Sequence, residues 1–127
     1  MIFVDTNVIM YAVGAEHPLK RRARDFFEEA LANGIPLATS AEVLQELLHA
    51  YLAVQRMEAL DAALALVQGR IPTVWSVESD DILLARTLAG SHAALSAIDL
   101  VHLACCTRRE VTQVKTFDRG LEAAMQA

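Results

Sequence analysis

Four carboxylates stand where the sequence changes character. Asp5 ends the apolar run Ile2-Phe3-Val4, and Asp118 ends the run Val114-Lys115-Thr116-Phe117. An acid directly after a buried strand is unfavourable unless it reaches solvent or binds something. Asp99 stands at the start of an apolar segment, and Glu46 lies among the leucines and valines of residues 43–52. Each acid also has an ordinary structural reading. Asp5 and Asp118 suit the N-caps of following helices. Asp99 completes the capping-box-like start Ser96-Ala97-Ile98-Asp99. Glu46 suits a solvated helix face. Glu42, four residues earlier on that face, is the alternative to Glu46. The apparent capping box Thr39-Ser40-Ala41-Glu42 occupies Glu42 and so favours Glu46 as the inward ligand.

Carboxylates gathered in one crevice raise one another's pKa, so such a site calls for cations. Hard oxygen donors select Mg²⁺ or Mn²⁺ over Zn²⁺. One or two such ions activate water and clamp a phosphate, which makes phosphodiester hydrolysis the reaction that best suits this set. The formal net charge of −5 is unusual for a protein that meets phosphates, and a bound cation supplies the missing positive charge locally. Two rivals stay open. A phosphohydrolase with a strand-terminal Asp nucleophile needs a second acid two residues on, where this chain has Asn7. A non-catalytic module would hold a metal, or a partner's arginine, in the same acidic crevice.

The elements that must position these acids alternate regularly. Residues 1–5 read as a buried strand, 6–11 as a short helix, and 17–33 as a helix with Pro18 in its first turn and Gly34 as its stop. Its apolar face is Phe26, Phe27, Ala30 and Leu31. Residues 35–38 are a second strand. A helix follows with Val43, Leu44, Leu47, Leu48, Tyr51 and Leu52 on its apolar face, then another over 57–68 that ends at Gly69. Residues 72–77 form a third strand, and 78–89 a helix with Ile82, Leu83, Ala85 and Leu88 inward. Residues 97–107 form a helix, 111–117 the last strand, and 118–125 a closing helix. The alternation implies an α/β fold, a mainly parallel sheet covered on both faces. The 127 residues, 54% of them hydrophobic, suit one domain spanning 1–127.

The remaining candidates carry less. Lys20, Arg21, Arg22 and Arg24 read as a solvated face balanced by Asp25, Glu28 and Glu29, or else as contacts to phosphates. Arg108, Arg109, Lys115 and Arg119 fall nearer the Asp99 and Asp118 segments. Arg119, directly after an acid of the set, is the favoured phosphate contact. His102, three residues after Asp99, reads more readily as a satisfied half-buried side chain than as a ligand. Trp75 and Tyr51 suit the core or an interface. Cys105 and Cys106 are adjacent, lack zinc spacing, and fit half-buried reduced thiols of a cytoplasmic protein. Neither a basic leader nor a membrane-spanning apolar run is expected.

Val4-Asp5-Thr6-Asn7, Gln45-Glu46-Leu47-Leu48, Ser96-Ala97-Ile98-Asp99-Leu100 with Ala104, and Thr116-Phe117-Asp118 together resemble the PIN-domain ribonucleases. In size and motif order the chain is similar to the VapC toxins of toxin–antitoxin pairs. The resemblance covers essentially the whole chain. It implies a parallel sheet of four or five strands flanked by helices, with a metal site at its carboxyl edge. It implies that Asp5, Glu46, Asp99 and Asp118 hold one or two Mg²⁺ or Mn²⁺ ions, with Thr6, Asn7 and Thr116 beside the metal or its waters. It also implies an RNA substrate, a homodimer, and an antitoxin that blocks the site.

Overall fold

The computed structural model describes residues 1–126. Four strands, β1 (Ile2–Val4), β2 (Leu37–Ser40), β3 (Thr73–Trp75) and β4 (Gln113–Lys115), form one parallel sheet in the order β3-β2-β1-β4. Among the described residues, seven helices flank it: α1 (Thr6–Val13), α2 (Pro18–Ala32), α3 (Ala41–Ala53), α4 (Met57–Arg70), α5 (Ser79–Leu88), α6 (Ala97–Arg108) and α7 (Arg119–Gln126). The α/β class and the parallel sheet are as expected.

β1 is central, which is why Ile2-Phe3-Val4 is apolar without alternation: Phe3 and Val4 are fully buried. The chain moves from β1 to β2 to β3 in one direction, and β4 then lies on the other side of β1. The switch point therefore falls between β1 and β4, where parallel sheets open a crevice at the strands' carboxyl ends. Val4 pairs with Lys115, and the Asp5 N–H donates to the Lys115 carbonyl at 3.0 Å. This register sets Asp5 level with Thr116.

Several expectations are corrected by pairing that hydropathy does not reveal. β2 begins and ends two residues later than its apolar residues suggest, because Thr39 and Ser40 pair with β3. The Thr39 hydroxyl donates to the Val4 carbonyl at 2.9 Å, and Ser40 starts α3 without a side-chain capping bond. The capping box that would have occupied Glu42 does not form. α4 runs through Gly69 to Arg70, held by the buried Ile71 and an Arg70–Glu28 pair at 2.8 Å. β3 and β4 pair over only three residues each. Leu31, Leu48 and Leu52 face outward at 66%, 46% and 47% exposure, so the inward faces of α2 and α3 are narrower than expected. Cys105 and Cys106 are fully buried free thiols, not half-buried ones. Burial pushes them up to about 11 and about 12, leaving them unreactive near neutrality.

α5 is rotated from its expected phase. Ile82 and Leu83 are exposed, while Asp81 is fully buried. Arg108 and Arg109 explain this. Their Nη1 atoms meet Asp81 Oδ1 at 2.9 and 2.8 Å, and the Glu78 N–H donates to Asp81 Oδ2 at 2.8 Å. Arg109 also donates to the Ser76 and Cys105 carbonyls and lies over the Trp75 ring at 5.1 Å. One carboxylate thus fastens α5 to α6, the helix that carries Asp99.

These contacts hold the Asp81 carboxyl well below the usual carboxylate range: burial opposes its charge, but the hydrogen bonds from Arg109, Glu78 and Arg108 outweigh it. Asp81→Ala is expected to lower the unfolding free energy by about 3 kcal/mol in urea titrations. A pKa depressed by folding stabilises fully above the unfolded value of about 3.9 and progressively less below it. The gap between wild type and Asp81→Ala should therefore narrow between about pH 5 and about pH 3. A gap constant across that range contradicts the role given to this clasp.

Candidate functional site

Asp5 is both a helix cap and part of a cluster with Glu46 and His102. As the N-cap of α1 it has extended backbone, and Oδ1 accepts from the Thr6 N–H at 2.7 Å. Oδ2 accepts from the Thr116 hydroxyl at 2.8 Å and from Asn7 Nδ2 at 3.4 Å. Asn7 in turn bridges the switch point: Nδ2 donates to Thr116 Oγ1 at 3.2 Å, and Oδ1 accepts from the Phe117 N–H at 3.1 Å. Thr116 Oγ1 also accepts from the Asp118 N–H at 2.9 Å. Asp118 Oδ1 then accepts from the Gly120 N–H at 2.8 Å, turning the chain into α7. A Cβ at Gly120 would lie 3.3 Å from that oxygen, so a larger residue there crowds the acid.

Glu46 reaches the same crevice from α3. That helix leaves the carboxyl edge directly after β2, and a rise of about 1.5 Å per residue carries Glu46 to the level of α1. Its Oε1 accepts from the Thr6 hydroxyl at 2.6 Å and meets His102 Nε2 at 2.7 Å. The same imidazole nitrogen lies 3.6 Å from Asp5 Oδ1. Asp5, Glu46 and His102 each offer a ligand atom, all within 4.8 Å of one another. His102 is 1% exposed, packs against Phe3 at 5.3 Å between ring centroids, and has a buried Nδ1 without a partner.

Burial raises the Asp5 pKa, outweighing the attraction of His102 and the bonds from Thr116 and Thr6. Asp99 is raised by burial and then by the charges of Asp118 and Asp5. Glu46 goes the other way, because the hydrogen bonds from His102 and Thr6 overcome its burial. Burial works against a charged His102, but Glu46, Asp5 and Asp99 together raise it. Glu42 also lies in this field: burial raises it, and it feels His102 and Glu46. An acidic set with Asp5 buried and Glu46, Asp99 and Asp118 half-buried, compensated by a single imidazole and with Asp5 and Asp99 both raised, fits a hard divalent cation.

The sequence-derived residues separate into groups. Asp5, Thr6, Asn7, Glu46 and Thr116 are joined by direct hydrogen bonds. Asp99 and Asp118 stand outside the compact three-residue cluster, yet their charges act on each other. Asp99 heads α6 with its N–H on Ser96 Oγ at 3.2 Å. Arg119 is exposed at the first residue of α7. The cations nearer the α6 end are otherwise engaged: Arg108 and Arg109 hold Asp81, and Lys115 lies over Phe26 and Phe117. In the α2 cluster, Lys20 and Arg24 donate to the Gly14 and Ala12 carbonyls at 2.9 and 3.0 Å, satisfying the end of α1. Arg21 pairs with Asp25, and Arg22 lies over Phe117. His102 is the residue that sequence reasoning underweighted. Its spacing from Asp99 was visible, but its partner Glu46 is 56 residues away.

The chain matches the PIN domain family over residues 2–125. It is 54% identical over 127 residues to Ribonuclease VapC23 of Mycobacterium tuberculosis, covering 100% of both chains. It is 41% identical over 123 residues to Ribonuclease VapC13 of the same species, covering 97% of this chain and 94% of that one. Its fold is similar to the crystal structure of Mycobacterium tuberculosis VapC20, described as a sarcin-ricin loop cleaving toxin. The TM-score is 0.77 at 22% identity, covering 98% of this chain and 95% of that chain. A second similar structure, FitAcB from Neisseria gonorrhoeae, has a TM-score of 0.70 at 19% identity, covering 100% of this chain and 94% of that one. The sheet order, the acids at its carboxyl edge and the full-length match agree: the chain belongs to the PIN-domain family.

Proposed function

We propose that this chain is an endoribonuclease, the toxin of a toxin–antitoxin pair, and that Asp5, Glu46, Asp99 and Asp118 hold Mg²⁺ or Mn²⁺ for it. The observation that carries the reading is the meeting of strand-terminal and helix-borne acids at the β1/β4 switch point. Full-length identity of 54% to a named ribonuclease supports it. When bound, the ion supplies an activated water and stabilises charge on the phosphate and the leaving oxygen.

The chain's own residues prepare that reaction. The Thr6 N–H, Thr116 and Asn7 fix the Asp5 carboxylate before any ligand arrives. Thr6 and His102 orient Glu46 through a shared oxygen. Burial keeps water away from Asp5 and strengthens every charge interaction around it. Arg119, exposed beside Asp118, would supply a phosphate contact next to the acids.

The partners follow from the same surface. An antitoxin segment carrying Arg or Lys would enter the acidic crevice and block it. Exposed Leu48 and Leu52 on α3, and Ile82 and Leu83 on α5, offer apolar area for a homodimer. No helix of the described residues is long and apolar enough to cross a membrane, and we place the protein in the cytoplasm.

Wild type should cut single-stranded RNA with Mg²⁺ or Mn²⁺, and EDTA should abolish cutting until the metal is restored. Asp5→Asn and Asp99→Asn should each lose at least about a hundredfold in kcat/KM, a barrier increase of about 2.7 kcal/mol. Equal cutting by wild type and both variants would refute the assignment. Metal binding without cleavage across a broad RNA panel would instead indicate a non-catalytic module. Between the two α3 acids, Glu46→Gln should cost at least about tenfold more activity than Glu42→Gln. The reverse order would transfer the helical ligand to Glu42.

A further inference from the structure

An open cleft of about 480 Å³ begins at Asn7 and runs away from the acids between the end of α1, the start of α2 and the end of α3. Asn7, Met10, Tyr11, His17, Tyr51 and Arg56 line it. From Asn7 and the geometry of this wall, we propose that the cleft is a nucleobase subsite. It receives the base of a nucleotide flanking the scissile phosphate of a single-stranded RNA. The proposal rests on the ribonuclease reading above and adds to it a place where the substrate strand is gripped.

The wall has the chemistry that an unstacked base requires. The Tyr11 and His17 rings lie 4.8 Å apart at 38°, and Phe117 buttresses Tyr11 edge-on at 5.6 Å. His17 is an exposed aromatic ring whose orientation is fixed. It is the N-cap of α2, and its Nδ1 accepts from the Leu19 N–H at 3.0 Å. Ser, Thr, Asp or Asn would cap as well or better, so the helix start alone does not call for an aromatic ring. With Nδ1 an acceptor, the neutral ring carries its proton on Nε2, a donor for a base edge. Bases splayed from single strands stack on such rings and are read along their edges.

The far wall is built by a strained turn. Gln55 sits in the left-handed region at φ +55°, and the next residue, Arg56, donates its N–H to the Tyr51 carbonyl at 3.0 Å. A non-glycine residue in that region costs of order 1 kcal/mol. The turn places an exposed guanidinium at the rim of the cleft, and Arg56 enters no ion pair among the described residues. A guanidinium there suits either a phosphate or a base face. Continuity completes the case, since Asn7 lines this cleft and also bonds Asp5 and Thr116. A base held beyond Asn7 leaves its own phosphate beside the acids.

The test uses the whole chain and a labelled single-stranded oligoribonucleotide that wild type cuts. Steady-state kinetics are measured for wild type, Tyr11→Leu, Tyr11→Phe and Arg56→Ala. A second substrate carries an abasic ribose at the nucleotide beside the cut. Tyr11→Leu and Arg56→Ala should each raise KM roughly tenfold, with kcat within about twofold, and Tyr11→Phe should stay near wild type. The abasic substrate should raise the wild-type KM by a similar factor and leave that of Tyr11→Leu almost unchanged. Cleavage with unchanged KM in the variants, or no response of wild type to the abasic substitution, overturns the subsite and leaves the nuclease standing. Absence of wild-type cleavage of any RNA overturns both.

Discussion

The structure turns on the problem of holding like charges together. Asp5, Glu46, Asp99 and Asp118 come from four separate stretches of chain, and no carboxylate in such a group is stable without compensation. Compensation among the described residues takes two forms. Neutral donors surround individual oxygens: the Thr6 N–H and Thr116 on Asp5, Thr6 on Glu46, and the Gly120 N–H on Asp118. One imidazole, His102, stands between Glu46 and Asp5. Asp5 and Asp99 are both raised, first by burial and then by the charges of neighbouring acids, so added positive charge would favour the ionised set. On the proposed function, a metal ion or a partner's basic side chain would supply that charge.

Fold and site use the same atoms. The β1–β4 register that closes the sheet also brings Asp5 beside Thr116 across 111 positions of sequence. Asp5 and Asp118 each satisfy backbone N–H groups at a helix start while keeping a carboxylate at the crevice. Asn7 spends its amide on three partners around the switch point. Substitution of any of these residues therefore disturbs local structure as well as charge. That is why isosteric Asp-to-Asn changes, which keep the oxygen acceptor, are the informative ones.

Legibility in the sequence followed the range of the interactions. The strand-terminal acids were readable because an apolar run ending in Asp-Thr-Asn or Phe-Asp is a local pattern. The parallel sheet was readable from alternation of elements. The capping box that favours Glu46 over Glu42 in the sequence does not form, since Ser40 ends a strand that pairs with β3. In the structure Glu46 alone of the two bonds Thr6 and His102. His102 looked like an ordinary helix histidine because its partner lies on another helix. The phase of α5 differs from the hydropathy pattern for a related reason. Asp81 resembles a solvent-facing acid until Arg108 and Arg109, 27 and 28 residues later, are seen to bury it.

The proposed site requires that the separated acids share one cation. Anomalous diffraction from crystals grown with Mn²⁺, at wavelengths on either side of the manganese edge, addresses this directly. The predicted result is a manganese peak bounded by Asp5, Glu46, Asp99 and Asp118, lost in crystals of Asp5→Asn. Manganese bound elsewhere on the chain, with those four side chains directed to separate regions, would contradict the nuclease site.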